Sequence, residues 1–376
     1  MSVVPLHRLG RTGLTVSRLC LGTMQFGSRM EEADAKRMVA HAADHGVNFI
    51  DTADTYVAGK SEEITGRAIA GNRHAWVLAT KVATPSPEKG PNRRGLSRKW
   101  VIEEAHASLK RLGTDFIDIL YLHKEDILTP LEETVRALAD LQRSGAIRYF
   151  GLSNYRAWRI ARICEICDDM NIDRPVVAQP LYHALNRQIE VEVLPVCREY
   201  GLGVFPYSPN ARGILSGKYA NDAAPPEDSR AAVKADTLKG ETRPEALAAA
   251  NVLYKRMMSS EFRPENIAVA AKIAERAKQR GVDPTAYAIA FVLANPNITG
   301  AIAGPRTMEQ WETYIKAFDV DWTAEDEALI DSLVPPGGTA VPNFQDPMYP
   351  IEGRGPVKLG KATAGLLDPS YVPIKG

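Results

Sequence analysis

The chain has 376 residues, 45% hydrophobic and 24% charged, which is enough apolar material for a large buried core and excludes disorder on a large scale. Lys+Arg and Asp+Glu both number 46, so no broad basic surface exists to hold nucleic acid or an anionic membrane. Cys20, Cys164, Cys167 and Cys197 are too few for a secreted disulfide framework, the first residues carry no apolar leader, and no apolar run spans a bilayer; reduced thiols and a cytoplasmic location are expected.

Residues 6 to 18, turning at Gly10-Arg11-Thr12-Gly13, predict a hairpin. After it, short β-type runs alternate with longer segments of helical period about eight times, the pattern of a parallel sheet with crossover helices. The runs centre on Leu19 to Thr23, Asn48 to Asp51, Val77 to Lys81 and Ile117 to His123, then on Tyr149 to Ser153, Val176 to Gln179, Gly203 to Tyr207 and Ile298 to Gly304. Helix starts are expected at Ser61 before Glu62 and Glu63, at Ser97, and at Thr129-Pro130-Leu131-Glu132, which reads as a threonine N-cap, a proline at the first helical position and a glutamate closing a capping box.

The stretch from Asn210 to Arg263 is too long for an ordinary connection and predicts a functional loop with some helix around Pro244 to Met258. From Val334 to Gly376 the chain is rich in Pro and Gly without strong periodicity. Phe344, Met348, Tyr349 and Pro350 there are expected either to fold over the barrel mouth or to pack on a neighbouring subunit. A barrel of this kind needs about 250 residues, so the fold class predicted is α/β, one (β/α)8 TIM barrel over residues 1–376. Its barrel covers about 17–333, with an N-terminal hairpin, a long loop after the seventh strand and a C-terminal extension over 334–376.

In such barrels the site forms at the C-terminal ends of the strands. Asp51 ends the second strand, Lys81 the third and His123 the fourth, while Tyr56 lies in the loop five residues after Asp51, so the four can converge on one mouth. A lysine cation beside a phenol favours the phenolate and lowers its pKa, and Asp51 would hold Lys81 charged. A carbonyl oxygen bonded to Tyr56 and His123 would be stabilised as negative charge develops on it, the electrostatic part of a hydride transfer.

The run Gly46-Val47-Asn48-Phe49-Ile50-Asp51-Thr52-Ala53-Asp54-Thr55-Tyr56 followed by Ser61-Glu62-Glu63 resembles the signature of the aldo-keto reductase family, in the branch that also resembles potassium-channel beta subunits. Lys81 in Ala79-Thr80-Lys81, His123 in Tyr121-Leu122-His123, Gly151-Leu152-Ser153-Asn154, Gln179, Tyr207-Ser208-Pro209, Gly213 to Tyr219 and Gly304-Pro305-Arg306 follow in family order, over roughly residues 7 to 333. The resemblance implies an NADP(H)-dependent enzyme that interconverts a small aldehyde or ketone and its alcohol, with Asp51, Tyr56, Lys81 and His123 as the catalytic tetrad. It implies Tyr207 stacked on nicotinamide, Ser153, Asn154 and Gln179 on its carboxamide, and Thr23 and Met24 nearby. Ser208, Pro209, Asn210, Arg212, Lys218 and Arg230 would run along the pyrophosphate, and Gly304, Arg306 and Gln310 would receive the 2′-phosphate, arginine being suited to it. A nucleotide-sensing regulatory subunit is the rival from another class. The chain departs from the family at Thr313-Tyr314, where relatives have Glu-Asn on adenine, at Asn210, where many have leucine, and at Val57, where glycine commonly follows the tyrosine and a differently shaped first loop with a narrower site is expected.

Other features have plainer readings. Cys164-Glu165-Ile166-Cys167 has redox spacing without a second pair and reads as helix. His41 and His45 share a helix face without the glutamate of a zinc protease motif and are expected to face solvent; no metal site is expected. Gly213 to Lys218 is one residue short of a Walker loop, no GxGxxG follows a strand, and Thr307 to Gln310 is also a plain capping box, a reading held even with a cofactor contact for Gln310.

Overall fold

The computed structural model describes residues 3–83, 90, 92–219, 258 and 260–341. A two-stranded hairpin, β1 (Leu6–Arg8) and β2 (Thr15–Ser17), precedes eight parallel strands: β3 (Leu19–Gly22), β4 (Phe49–Asp51), β5 (Val77–Val82), β6 (Ile117–Leu122), β7 (Ile147–Ser153), β8 (Val177–Gln179), β9 (Gly203–Val204) and β10 (Ala301–Ala303). They pair in the order β10-β3-β4-β5-β6-β7-β8-β9. A parallel bridge between Tyr207 and Ile302, with Ile302 N donating to Pro206 O at 2.9 Å and Thr299 N to Val204 O at 3.0 Å, brings the two ends together as a TIM barrel. The eight expected runs are all there. The last two are shorter as regular strands than their hydrophobic runs suggested; in the seventh run Pro206 has no amide hydrogen to give the ladder, and Phe205 and Tyr207 on either side of it bond to Ala178 O and Pro180 O.

The helices are α1 (Glu32–Asp44), α2 (Lys60–Ile69), α3 (Arg98–Leu112), α4 (Leu131–Arg143), α5 (Ala157–Asp169), α6 (Val193–Tyr200), α7 (Pro264–Gln279), α8 (Pro284–Ala294), α9 (Met308–Ile315) and α10 (Ala324–Leu333). Strand residues alternate between two cores, as the two-residue pleat demands. Cys20, Phe49, Ala79, Ile119, Tyr121, Val177, Phe205 and Ile302 fill the barrel, where Leu9 and Val16 of the hairpin join them as a plug. Their neighbours Leu19, Leu21, Ile50, Leu78, Leu120 and Leu152 face the helices.

Of the helix starts, Ser97 caps α3 by accepting from Trp100 N at 3.4 Å, and Thr307 caps α9 by accepting from Gln310 N at 3.3 Å. Two expectations are overturned. Pro130, not Thr129, stands at the α4 boundary, and the Thr129 hydroxyl donates to Asp126 Oδ2 at 2.7 Å instead, because that carboxylate organises the preceding loop. Ser61 lies one residue inside α2, which begins after left-handed Gly59, and its hydroxyl is used on the barrel. His41 and His45 are half-buried, their rings stacked at 4.2 Å, and do not stand free in solvent. All four cysteines are buried and form no disulfide, and burial pushes Cys164 and Cys167 up to about 12. The expected helix around Pro244 to Met258, apart from Met258 itself, and the tail residues Phe344, Met348, Tyr349 and Pro350 lie outside the described residues. Among the described residues no helix is long and apolar enough to cross a membrane.

Candidate active site

Asp51 and Lys81 reach the barrel mouth because each is the inward-pointing residue at or near the end of its strand, one layer above Phe49 and Ala79. Both are buried, and they form an ion pair through Asp51 Oδ1. Lys81 Nζ also donates to Thr52 O at 2.6 Å, and Gln179 Nε2 donates to Asp51 Oδ2 at 2.9 Å. Both carboxylate oxygens are therefore occupied. The Lys81 ammonium sits 4.8 Å from the centre of the Tyr56 ring and within hydrogen-bonding reach of its phenol. The Tyr56 ring stands nearly perpendicular to that of His123, with centroids 6.0 Å apart, and both line one cavity.

Tyr56 opens a short 3-10 turn, Tyr56–Gly59, whose remaining residues Val57, Ala58 and Gly59 have φ of 51°, 53° and 89°. A Cβ on Gly59 would lie 2.7 Å from Arg111 Cδ, so glycine is required there for space as well as for conformation. Arg111 is in turn bound by Glu62 and Glu104. On the other side Ser61 Oγ donates to Thr23 O at 2.8 Å and lies 3.1 Å from Thr52 Oγ1, tying the start of α2 to the ends of β3 and β4. The tyrosine turn is thus clamped from both flanks.

Burial raises the Tyr56 pKa above the ordinary phenol value, and the Lys81 charge only partly offsets it. The contribution of Lys81 has the sign expected from sequence, but the net direction is opposite, because the enclosure of the phenol was not visible in the residue order. Burial works against the Lys81 ammonium, yet the attraction of Asp51 and Tyr56 outweighs it and holds the lysine above its ordinary value. Asp51 is raised by burial, with Lys81 and the Gln179 amide opposing. The phenol is thus held protonated beside a charged lysine.

The cavity measures about 580 Å³ and runs from Tyr56 and His123 to Arg306 and Tyr314. Of the residues the sequence placed around a dinucleotide, Met24, Ser153, Asn154, Gln179, Tyr207, Ser208, Pro209, Asn210, Arg212, Lys218, Gly304, Arg306 and Gln310 line it. Thr23 is buried behind the wall with its hydroxyl against Ser61, and Arg230 lies outside the described residues. Near the tyrosine a chain of bonds fixes the wall: Tyr207 OH donates to Asn154 Oδ1 at 2.8 Å, Asn154 Nδ2 to His123 O at 2.9 Å and to Ser153 Oγ at 3.0 Å, and Ser153 Oγ to Gln179 O at 2.9 Å. Asn154, Ser208, Ala211 and Arg212 all have positive φ, so strained backbone concentrates on this wall.

At the far end Arg212 is not an exposed cation: its Nε lies 2.9 Å from Glu261 Oε1, and both side chains are buried. Gln310 lines the cavity, and the expected capping box is only half made: Thr307 accepts from Gln310 N, but Gln310 Oε1 accepts from Arg306 N at 2.9 Å, one residue earlier than a capping box requires. The two departures at Asn210 and Tyr314 meet, the amide donating to the phenol at 3.4 Å. Gln25, Ser216, Asp283, Thr285 and Glu309 also line the cavity without having been singled out from sequence; Thr285 and Glu309 stand in the first turns of α8 and α9, and Asp283 caps α8. Among the described residues no group of three or more His, Cys, Asp or Glu is placed to hold a metal ion.

Residues 18–335 match the model of the aldo/keto reductase family. A protein of Arabidopsis thaliana named a probable voltage-gated potassium channel subunit beta is 36% identical over 317 residues, 83% of this chain and 90% of that protein. The uncharacterized oxidoreductase YrpG of Bacillus subtilis is 37% identical over 341 residues, 88% of this chain and 96% of its own length. Protein Tas of Escherichia coli is 32% identical over 356 residues, 87% of this chain and 96% of the relative.

Proposed function

Because this chain belongs to the aldo/keto reductase family of oxidoreductases, we propose that it reduces a small aldehyde or ketone to the alcohol with NADPH, Tyr56 supplying the proton. The observation that carries the reading is the meeting of Asp51, Lys81, Tyr56 and His123 at one end of a cavity whose other wall holds Lys218 and Arg306. The residues fit such a cofactor: an aromatic ring at Tyr207 beside the amides of Asn154 and Gln179 suits nicotinamide, and cations farther along suit phosphates. When bound, NADPH supplies the hydride that the carbonyl carbon receives.

The chain's own residues manage the proton and the charge. His123 donates a hydrogen bond to the carbonyl oxygen, and the Tyr56 phenol gives that oxygen its proton as charge develops. Lys81 stabilises the phenolate left behind, and Asp51 keeps Lys81 in place. Burial keeps Tyr56 protonated at neutral pH. Reduction therefore loses rate as pH rises through the Tyr56 pKa, whereas the reverse oxidation, which needs the phenolate, gains rate over the same range.

Tyr56→Phe should lower kcat by roughly 10²- to 10⁴-fold, the range typical of general acids, while NADPH binding followed by fluorescence stays measurable. Undiminished turnover sinks the proton-donor assignment. A second reading, a nucleotide-sensing subunit of a membrane channel, is favoured by the similarity to the Arabidopsis protein named as a probable channel subunit. Negligible turnover across a panel of aldehydes, quinones and keto sugars, together with stoichiometric capture of a channel protein, would decide for it.

A further inference from the structure

We propose that Gln179 is a positioning residue that joins the carboxamide-facing wall of the cavity to the proton-donor chain by holding the second oxygen of Asp51. The inference rests on the reading of Tyr56 as proton donor. Its basis is a single side-chain amide, 3% exposed, that lines the cavity and donates to Asp51 Oδ2 at 2.9 Å, the oxygen that Lys81 leaves free.

A buried carboxylate is costly unless each oxygen has a partner, and the choice of partner decides where the lysine charge is directed. A second cation at this position would compete with Lys81, and a second carboxylate would repel Asp51. A neutral donor satisfies Oδ2 without either effect. With Gln179 in place Asp51 draws less on Lys81, and more of the ammonium's field falls on the phenol. The backbone of Gln179 is fixed from outside by Ser153 Oγ, which belongs to the chain running through Asn154 to Tyr207 and His123. A ligand amide bonded to Gln179 would therefore polarise the same group that steadies Asp51. Occupancy of the cofactor seat and acidity of Tyr56 become coupled through one residue.

The test uses Gln179→Met, which keeps the length and removes the donor, and Gln179→Glu, which adds a charge and covers the case in which the first variant folds poorly. Each is made alone and in the Tyr56→Phe background, and kcat is measured against pH for carbonyl reduction with NADPH and alcohol oxidation with NADP. The expected result is a Tyr56 midpoint moved up by about half a pH unit or more in Gln179→Met and farther in Gln179→Glu. Where the midpoint lies above the accessible range, oxidation at fixed pH on the rising limb should fall about threefold for each half unit. In the Tyr56→Phe background either change should cost kcat clearly less than it does with Tyr56 present, because the part that acts through the phenol is gone. A raised KM for the cofactor with an unmoved midpoint, or an equal loss of kcat in both backgrounds, overturns the coupling. Full activity of Tyr56→Phe alone instead overturns the proton-donor reading and leaves the two failures distinct.

Discussion

Val57 sits one bond from the tyrosine with φ of 51°, a region in which a β-branched residue is strained by roughly 1–2 kcal/mol. The departure from glycine was readable in the sequence; what could not be read is that Val57 itself takes the left-handed conformation and bears the strain. It can do so because Arg111 and Ser61 hold the turn on both sides. Val57→Gly should relieve the strain but lose more unfolded-state entropy, for a net gain of about 0.5 kcal/mol in urea unfolding. A lower midpoint would mean that the valine side chain contributes packing that outweighs its backbone cost. The four residues Asp51, Tyr56, Lys81 and His123 were legible because strand ends in a barrel all face one mouth. The bond from Gln179 to Asp51 was not, since the partners lie 128 residues apart and only the barrel closure sets their distance. The same holds for Asn210 and Tyr314, separated by 104 residues.

At the level of elements, the alternation of runs fixed the order of strands and helices, while several boundaries followed local chemistry that spacing does not encode. Thr129 lost its cap to Asp126, yet an unremarked start, that of α10, carries a complete capping box between Thr323 and Asp326. Asp326 is the junction of two helices, because Arg276 of α7 and Arg280 at its C-cap both bind it. Burial opposes its ionisation, but the hydrogen bonds from Arg276, the Thr323 backbone and Arg280 prevail and hold it down at about 2, against an ordinary 3.8. A group depressed in the folded state contributes stability above its ordinary pKa and loses it as the pH falls through the folded value. Asp326→Asn should thus cost about 1–2 kcal/mol near pH 7, after allowance for solvent around the arginines, with the difference shrinking between about pH 4 and pH 2. Urea midpoints of both proteins across that range provide the check; a constant difference would assign the loss to helix capping alone.

Across the whole molecule the balanced charge leaves no strong general field, so attraction for an anionic cofactor has to come from a few placed cations. Arg212 is neutralised by Glu261, and of the arginines along the cavity Arg306 is the one placed where the family resemblance puts a 2′-phosphate. Its backbone amide is pinned by Gln310, which fixes the loop between β10 and α9, and the residue lines the cavity. A charge-assisted bond to phosphate contributes about 1.5–3 kcal/mol, so Arg306→Ala should weaken NADPH by roughly 10- to 100-fold and NADH by far less. The consequence reaches the stability of the barrel, because a ligand that binds only the folded state raises stability by about 2.7 kcal/mol at a concentration 100 times its Kd. NADPH should therefore raise the melting temperature of the unaltered protein by a few degrees, and Arg306→Ala should lose most of that rise at the same NADPH concentration, each protein being compared with its own nucleotide-free melting point. Equal losses for NADPH and NADH would remove the phosphate role from Arg306. A fall in the nucleotide-free melting point would instead show that the arginine braces the β10 to α9 loop.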